Sequence, residues 1–387
     1  MPGDPSQEKQ QKNGEQGRLA TPDEFRLLVD ALQGDRSALE KAAASLEPGP
    51  IARFHRLGPA LARRAFQQQP PLATPAPWRL AFQQSTARQL LFQRHLLLVG
   101  EQLAESRIPW LPIKGLDLCS RVYGSPEDRP AGDIDILVPP DRLAEARTAL
   151  ESSGWKGAFH GHRYESFLAD EGYCWLAAQP DGSQLEVHFR FWGMIPEGYP
   201  GDLFQRSLEA PSLGASARRA GLEDAYLLAA VHAWMTPPPR PLLHWWDLER
   251  IAAKEPQGIG QQVPRLARQW HLELPVALAS AQAATLWPDK VHGAIAKQLV
   301  SSLRRPERLV FNRAKREGSD SISLPRMTLA RLCASRSSRS GWKALGRRLW
   351  AHPGIVDRET PERWQWPVRR LVHLGRRVGL PFFTSPP

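Results

Sequence analysis

Asp133 and Asp135 stand two positions apart in the stretch GDIDILV, at the entry to a run of aliphatic residues. Side chains alternate across a strand, so a strand here turns both carboxylates to one face and Ile134 and Ile136 to the other. Two carboxylates held that close repel each other, and one takes up a proton unless a cation compensates. Mg²⁺ suits that role: it is a hard ion that accepts few protein carboxylates and fills its shell with water and phosphate oxygens. Turn chemistry is the competing reading, because aspartates are common where a loop enters a strand.

A third carboxylate is available downstream. In QLEVHFR, Glu186 and His188 share one strand face while Leu185, Val187 and Phe189 share the other. If this strand pairs beside the first, Glu186 joins Asp133 and Asp135 in a three-carboxylate metal site of the kind that clamps the oxygens of a phosphoryl or nucleotidyl transfer. His188 then reads either as a partner orienting that site or as a half-buried strand histidine. Upstream, PIKG ends a short apolar segment at Lys114 and Gly115. A glycine at a strand-to-helix turn lets backbone N–H groups approach phosphate oxygens, and the lysine adds a counter-charge. Arg129 reads equally as a phosphate ligand and as an ion-pair partner of Asp133 or Asp135.

The elements that must hold these residues follow from the surrounding pattern. IPWLPIKG reads as a strand, LDLCSRVYG as two helical turns, DIDILV as a second strand and PPDRLAEARTALESSGW as a helix. YCWLAAQPDGSQLEVHFRFW reads as a hairpin around Pro-Asp-Gly. Upstream, Thr21-Pro22-Asp23-Glu24 starts a helical region. Trp78 to Ser106 shows helical periodicity through Leu80, Leu90, Leu91, Leu97, Leu98 and Leu103. Helical patterning returns from Gly221 to about Leu303, with LEDAYLLAAVHAW and LLHWWDLERIAA joined by MTPPPRP. The expected organisation is a disordered tail (1–20), an N-terminal helical region (21–107), a small α/β domain (108–200), a helical domain (201–302) and a basic Arg/Trp-rich region (303–387).

Composition narrows the function classes. The net charge of +11 sits in the last quarter of the chain: from Ser301 onward there are 19 Lys+Arg against 6 Asp+Glu. The rest of the chain sums to −2, whereas a domain that grips a long polyanion usually carries its own basic face, so the nucleic-acid reading rests on the tail and is not favoured. For that tail, packing of its Trp residues on the helical part is the favoured alternative. No run of 18 uncharged apolar residues argues for a membrane span. Cys119, Cys174 and Cys333 lie far apart without zinc-type spacing, and with a polar N-terminus this points to a reducing cytoplasm. His160 and His162 in FHGHR have metal-like spacing but lack a third ligand nearby, and read as a loop.

Taken in order, PIKG, Tyr123, Arg129, DIDILV, LEVHFR, then His232 and Asp247 in the helical part resemble the polymerase β-like nucleotidyltransferase superfamily. More narrowly, the pattern is similar to the bacterial family labelled uncharacterised nucleotidyltransferase, over about residues 78–300. The resemblance implies an α+β fold: a nucleotidyltransferase α/β domain with a small mixed sheet, flanked by helical regions. It implies Asp133, Asp135 and Glu186 as metal ligands and catalytic residues, with Lys114 and Gly115 at the nucleotide phosphates. The implied activity is Mg²⁺- or Mn²⁺-dependent transfer of an NMP from an NTP to a small-molecule or peptide acceptor. Leu116 follows Gly115 where well-studied branches carry a serine, which keeps a non-catalytic nucleotide-binding protein as the alternative. His232 and Asp247 read as an acceptor-side pair or as a buried His–Asp hydrogen bond between neighbouring helices.

Overall fold

The computed structural model describes residues 22–317, apart from short stretches at 126–127, 160–164, 166–167, 169–171, 192–194, 196–197, 214–215, 237–239 and 289. The tail segments 1–20 and 318–387 and the His160/His162 loop therefore lie outside the described residues.

At the centre is a five-stranded mixed sheet. Its strands are β1 (Leu111–Pro112), β2 (Ile134–Leu137), β3 (Lys156–Gly157), β4 (Cys174–Ala178) and β5 (Gln184–His188), in spatial order β1-β2-β5-β4-β3. β2 and β5 run parallel and every other pair is antiparallel. The β4–β5 hairpin closes through the expected Pro-Asp-Gly turn. Gly182 sits there at φ +85°, a conformation that costs other residues more, and Ser183 N–H donates to the Asp181 carboxylate at 2.8 Å.

The two faces of the sheet do different work. Ile134, Ile136, Val138, Trp175, Ala177, Leu185 and Val187 point to one side. There they meet Phe92, Leu96, Val99 and Leu103 of a 30-residue helix, Ala76–Glu105, and Ala146 and Leu150 of a second helix, Leu143–Ser152. The opposite face carries Asp135, Glu186 and His188. Period-2 alternation in β2 and β5 thus separates a dry face from a chemical one.

Helices before and after the sheet in sequence share one apolar core. Leu28, Leu39 and Leu61 from the first helices pack in the same cluster as Tyr226, Trp246, Val276 and Leu299 from the last ones. The helix Arg305–Glu317, at the start of the basic region, adds Phe311 and Ala314 to that core. No helix among the described residues is long and apolar enough to cross a membrane.

Candidate metal and nucleotide site

Parallel pairing of β2 with β5 sets Asp135 directly opposite Glu186. Asp133 lies one step before β2 on the same side, and carboxylate oxygens of Asp133, Asp135 and Glu186 all fall within 4.8 Å of one another. The pairing on which a third carboxylate depended is therefore present. Asp135 is buried within β2, while Asp133 is half-buried in the bend that precedes it.

Lys114 enters this cluster from the turn after β1. Its Nζ donates to Asp135 Oδ1 at 2.7 Å and lies 3.8 Å from Glu186 Oε2. The lysine backbone has φ +56°, a conformation rare for a residue with a side chain. His188, fully buried, brings Nε2 to 2.9 Å from Asp135 Oδ1 and 3.1 Å from Glu186 Oε2. Its ring lies near-parallel to those of Tyr173 and Phe191, with centroids 5.9 and 6.4 Å away.

The electrostatics divide the two aspartates. Burial would raise Asp135, but Lys114 and His188 outweigh it and hold its carboxyl well below the usual range. Asp133 moves the other way: burial, then the charges of Asp135 and Glu186, push it up to about 6. Lys114 and Arg56 offset only part of that rise.

Gly115 follows Lys114 and starts a four-residue helix, Gly115–Leu118, which continues as a π-helical turn over Cys119–Tyr123. Packing alone already requires a small residue there, because a Cβ would come within 3.2 Å of Ala131 Cβ and 3.3 Å of Arg129 Nη1.

Arg129 meets a different carboxylate from the two weighed for it. Its Nε and Nη2 donate to the two oxygens of Asp247 at 2.7 and 2.8 Å, and Tyr123 donates its hydroxyl to the same Asp247 at 2.6 Å. Asp247 is thus bound to Arg129 and Tyr123 rather than stapled to His232. His232 instead meets His244 edge to face, with ring centroids 5.1 Å apart. Burial lowers both histidines, His244 to about 4, so both are neutral imidazoles near pH 7. With Lys114, Asp117 and Arg129 they line a pocket against the helices Leu222–Met235 and Leu242–Lys254.

Three contributors carried no sequence signal of their own. Arg56, in the turn between the helices Pro48–Arg53 and Gly58–Phe66, donates to Pro130 O at 3.1 Å and offsets part of the upward shift of Asp133. Gln89, on the long helix, donates to Arg129 O at 2.7 Å and steadies the loop before Asp133. Cys174 faces His188 across the hairpin; only a count of register from the Pro-Asp-Gly turn could have found it.

A small mixed sheet with three acidic side chains converging on one face, next to a Lys-Gly turn, has the form of a nucleotidyltransferase-type α+β protein. The chain belongs to the family described as uncharacterised nucleotidyltransferase, whose model matches residues 50–288. Among solved structures, the antibiotic-resistance factor ANT(2'')-Ia is 18% identical with a TM-score of 0.34, over 48% of this chain and 94% of its own. An antigenic nucleotidyltransferase-like protein from Paracoccidioides brasiliensis is 12% identical with a TM-score of 0.30, over 46% of this chain and 88% of its own. No curated protein matches the chain.

Proposed function

We propose that this member of the family is a Mg²⁺- or Mn²⁺-dependent enzyme that moves an NMP from an NTP to a small-molecule or peptide acceptor. The observation that carries the reading is the convergence of Asp133, Asp135 and Glu186 oxygens within 4.8 Å. The donor set fits a hard divalent ion: all three are carboxylates, and burial followed by the charges of Asp135 and Glu186 pushes Asp133 up to about 6. When bound, such an ion supplies charge against the triphosphate and orients the reacting oxygens.

The protein's own residues have distinct tasks in this reading. Asp133, Asp135 and Glu186 hold the cation, and Glu186, which is partly exposed, faces the acceptor side. His188 orients Asp135 and Glu186 from below. Lys114 turns from Asp135 toward phosphate oxygens once the carboxylates are otherwise neutralised, and Gly115 lets the chain pass close to them. Arg129 acts on the nucleotide indirectly: held by Asp247, it fixes the loop that presents Asp133.

The test is thermal stability with each of the four NTPs, with and without Mg²⁺ or Mn²⁺. A ligand at about a hundred times its Kd stabilises the fold by about 2.7 kcal/mol. At least one NTP should stabilise the wild type only with metal, and Asp133→Asn/Asp135→Asn should abolish the effect. No shift with any NTP would sink the reading.

One observation favours a second reading, a nucleotide-binding protein without turnover. Lys114 Nζ already sits 2.7 Å from Asp135 and 3.8 Å from Glu186, where it neutralises the cluster internally, and no serine follows Gly115. Metal-dependent NTP stabilisation without pyrophosphate release in any acceptor mixture would select it.

A further inference from the structure

Beside the three carboxylates is a donor set of another chemical kind. Cys174 and His188 are direct partners across the antiparallel β4–β5 pair, and Glu186, two residues before His188, shares their face. Cys174 Sγ, a carboxylate oxygen of Glu186 and a ring nitrogen of His188 lie within 4.8 Å of one another. We propose that Cys174, Glu186 and His188 form a binding site for a thiophilic divalent cation, with Zn²⁺ the best match, that shares Glu186 with the Mg²⁺ or Mn²⁺ position.

The chemistry discriminates between the ions. Mg²⁺ takes oxygen ligands, whereas sulfur, imidazole and carboxylate together suit Zn²⁺ and its neighbours in the first row. Tetrahedral coordination at about 2.0–2.3 Å places ligand atoms roughly 3.5 Å apart, so side-chain shifts on the order of an ångström close the set. The sheet supplies the rigidity: Cys174 and His188 are held by ladder pairing, and the His188 ring packs near-parallel to those of Tyr173 and Phe191. Glu186 is the partly exposed member and gives the ion its way in. Lys114 Nζ, 3.4 Å from His188 Nε2, moves aside as the cation enters. As the metal–sulfur bond forms, the Cys174 thiol releases its proton to solvent. The site escapes recognition in the sequence because only one cysteine contributes, and its partners are ten and more residues away across a turn.

The full-length protein, freed of metal with a chelator, is titrated with Co²⁺ and then Zn²⁺. The expected result is a thiolate-to-cobalt charge-transfer absorbance in the near ultraviolet that Zn²⁺ bleaches. The band is retained in Cys119→Ser and in Asp133→Asn, and lost in Cys174→Ser. Zn²⁺ affinity in Cys174→Ser falls by more than the roughly 10- to 100-fold that loss of an outer partner costs. Wild type without the band, or a band that survives Cys174→Ser, overturns the proposal. If Cys174→Ser does not fold, alkylation of wild-type Cys174 read by mass spectrometry decides: Zn²⁺ should protect it, and equal labelling with and without Zn²⁺ rejects the site. The two readings stay distinguishable although they share Glu186, because Asp133→Asn should remove metal-dependent NTP stabilisation and leave the cobalt–sulfur band intact.

Discussion

Lys114 reaches Asp135 across 2.7 Å from a backbone held at φ +56°. A buried carboxylate and a nearly enclosed ammonium neutralise each other here, and the turn after β1 accepts an unfavourable conformation to bring them together. Lys114→Met leaves Asp135 buried with His188 as its remaining polar partner. Loss of one partner of a buried pair costs about 3–5 kcal/mol, and His188 keeps this case near the low end. Denaturant melts in EDTA should read that loss, and saturating Mg²⁺ should restore more stability to the variant than to the wild type.

Asp133 imposes a pH dependence of definite sign. Its carboxyl rises from 3.8 to about 6, through burial first and then through Asp135 and Glu186. The folded chain therefore keeps a proton that the unfolded chain gives up, and its stability falls as pH climbs from 3.8 to about 6. Above that window the loss is complete, at about 2 kcal/mol once partial exposure is allowed for. In EDTA, Asp133→Asn should match the wild type near pH 4 and exceed it by roughly that amount at pH 7. Melts across the range check this; a variant less stable than wild type at pH 7 would contradict the assigned direction.

The Arg129–Asp247 pair joins the loop before Asp133 to the helix Leu242–Lys254 with both partners buried. Asp247→Ala strands the guanidinium and should cost about 3–5 kcal/mol, whereas Arg129→Met with Asp247→Ala should recover a good part of it. Tyr123→Phe, which removes one of the three donors, should cost about 1–2 kcal/mol. A double-mutant cycle by urea unfolding measures the coupling.

Gly115→Ala separates packing from ligand approach. The new Cβ meets Ala131 and Arg129 at 3.2–3.3 Å, so overpacking of about 1–3 kcal/mol is expected without any nucleotide present. A loss of NTP-dependent stabilisation beyond that baseline would locate phosphate at this turn.

The sheet and the site were legible for one reason: alternation with period two makes a strand commit every side chain to a face. GDIDILV and QLEVHFR each carry apolar residues at one parity and acids at the other, and burying the apolar parity against one helix layer brings the acids together. The long helix shows where this logic stops. Its existence was legible, but Leu80, Leu90, Leu97 and Leu98 are exposed, while Ser85 and Gln89 are buried. Leucines recur on more than one side of that helix, so periodicity identified a helix without choosing its inner face. Gln89 is inside because it satisfies the Arg129 carbonyl, a partner 40 residues away. Arg129 and Asp247 were each singled out in the sequence, yet their pairing spans 118 residues and depends on how two regions dock. Local pattern carries no record of that.

The shared core of the first and last helices has a consequence for biogenesis. Leu28 and Leu39 are made early, but the surfaces that enclose them include Val276, Leu299 and Phe311. A nascent chain therefore carries an unfinished apolar surface until nearly the whole described region has left the ribosome. Contacts of such sequence separation slow folding, and until they form the apolar faces of the first helices stay uncovered.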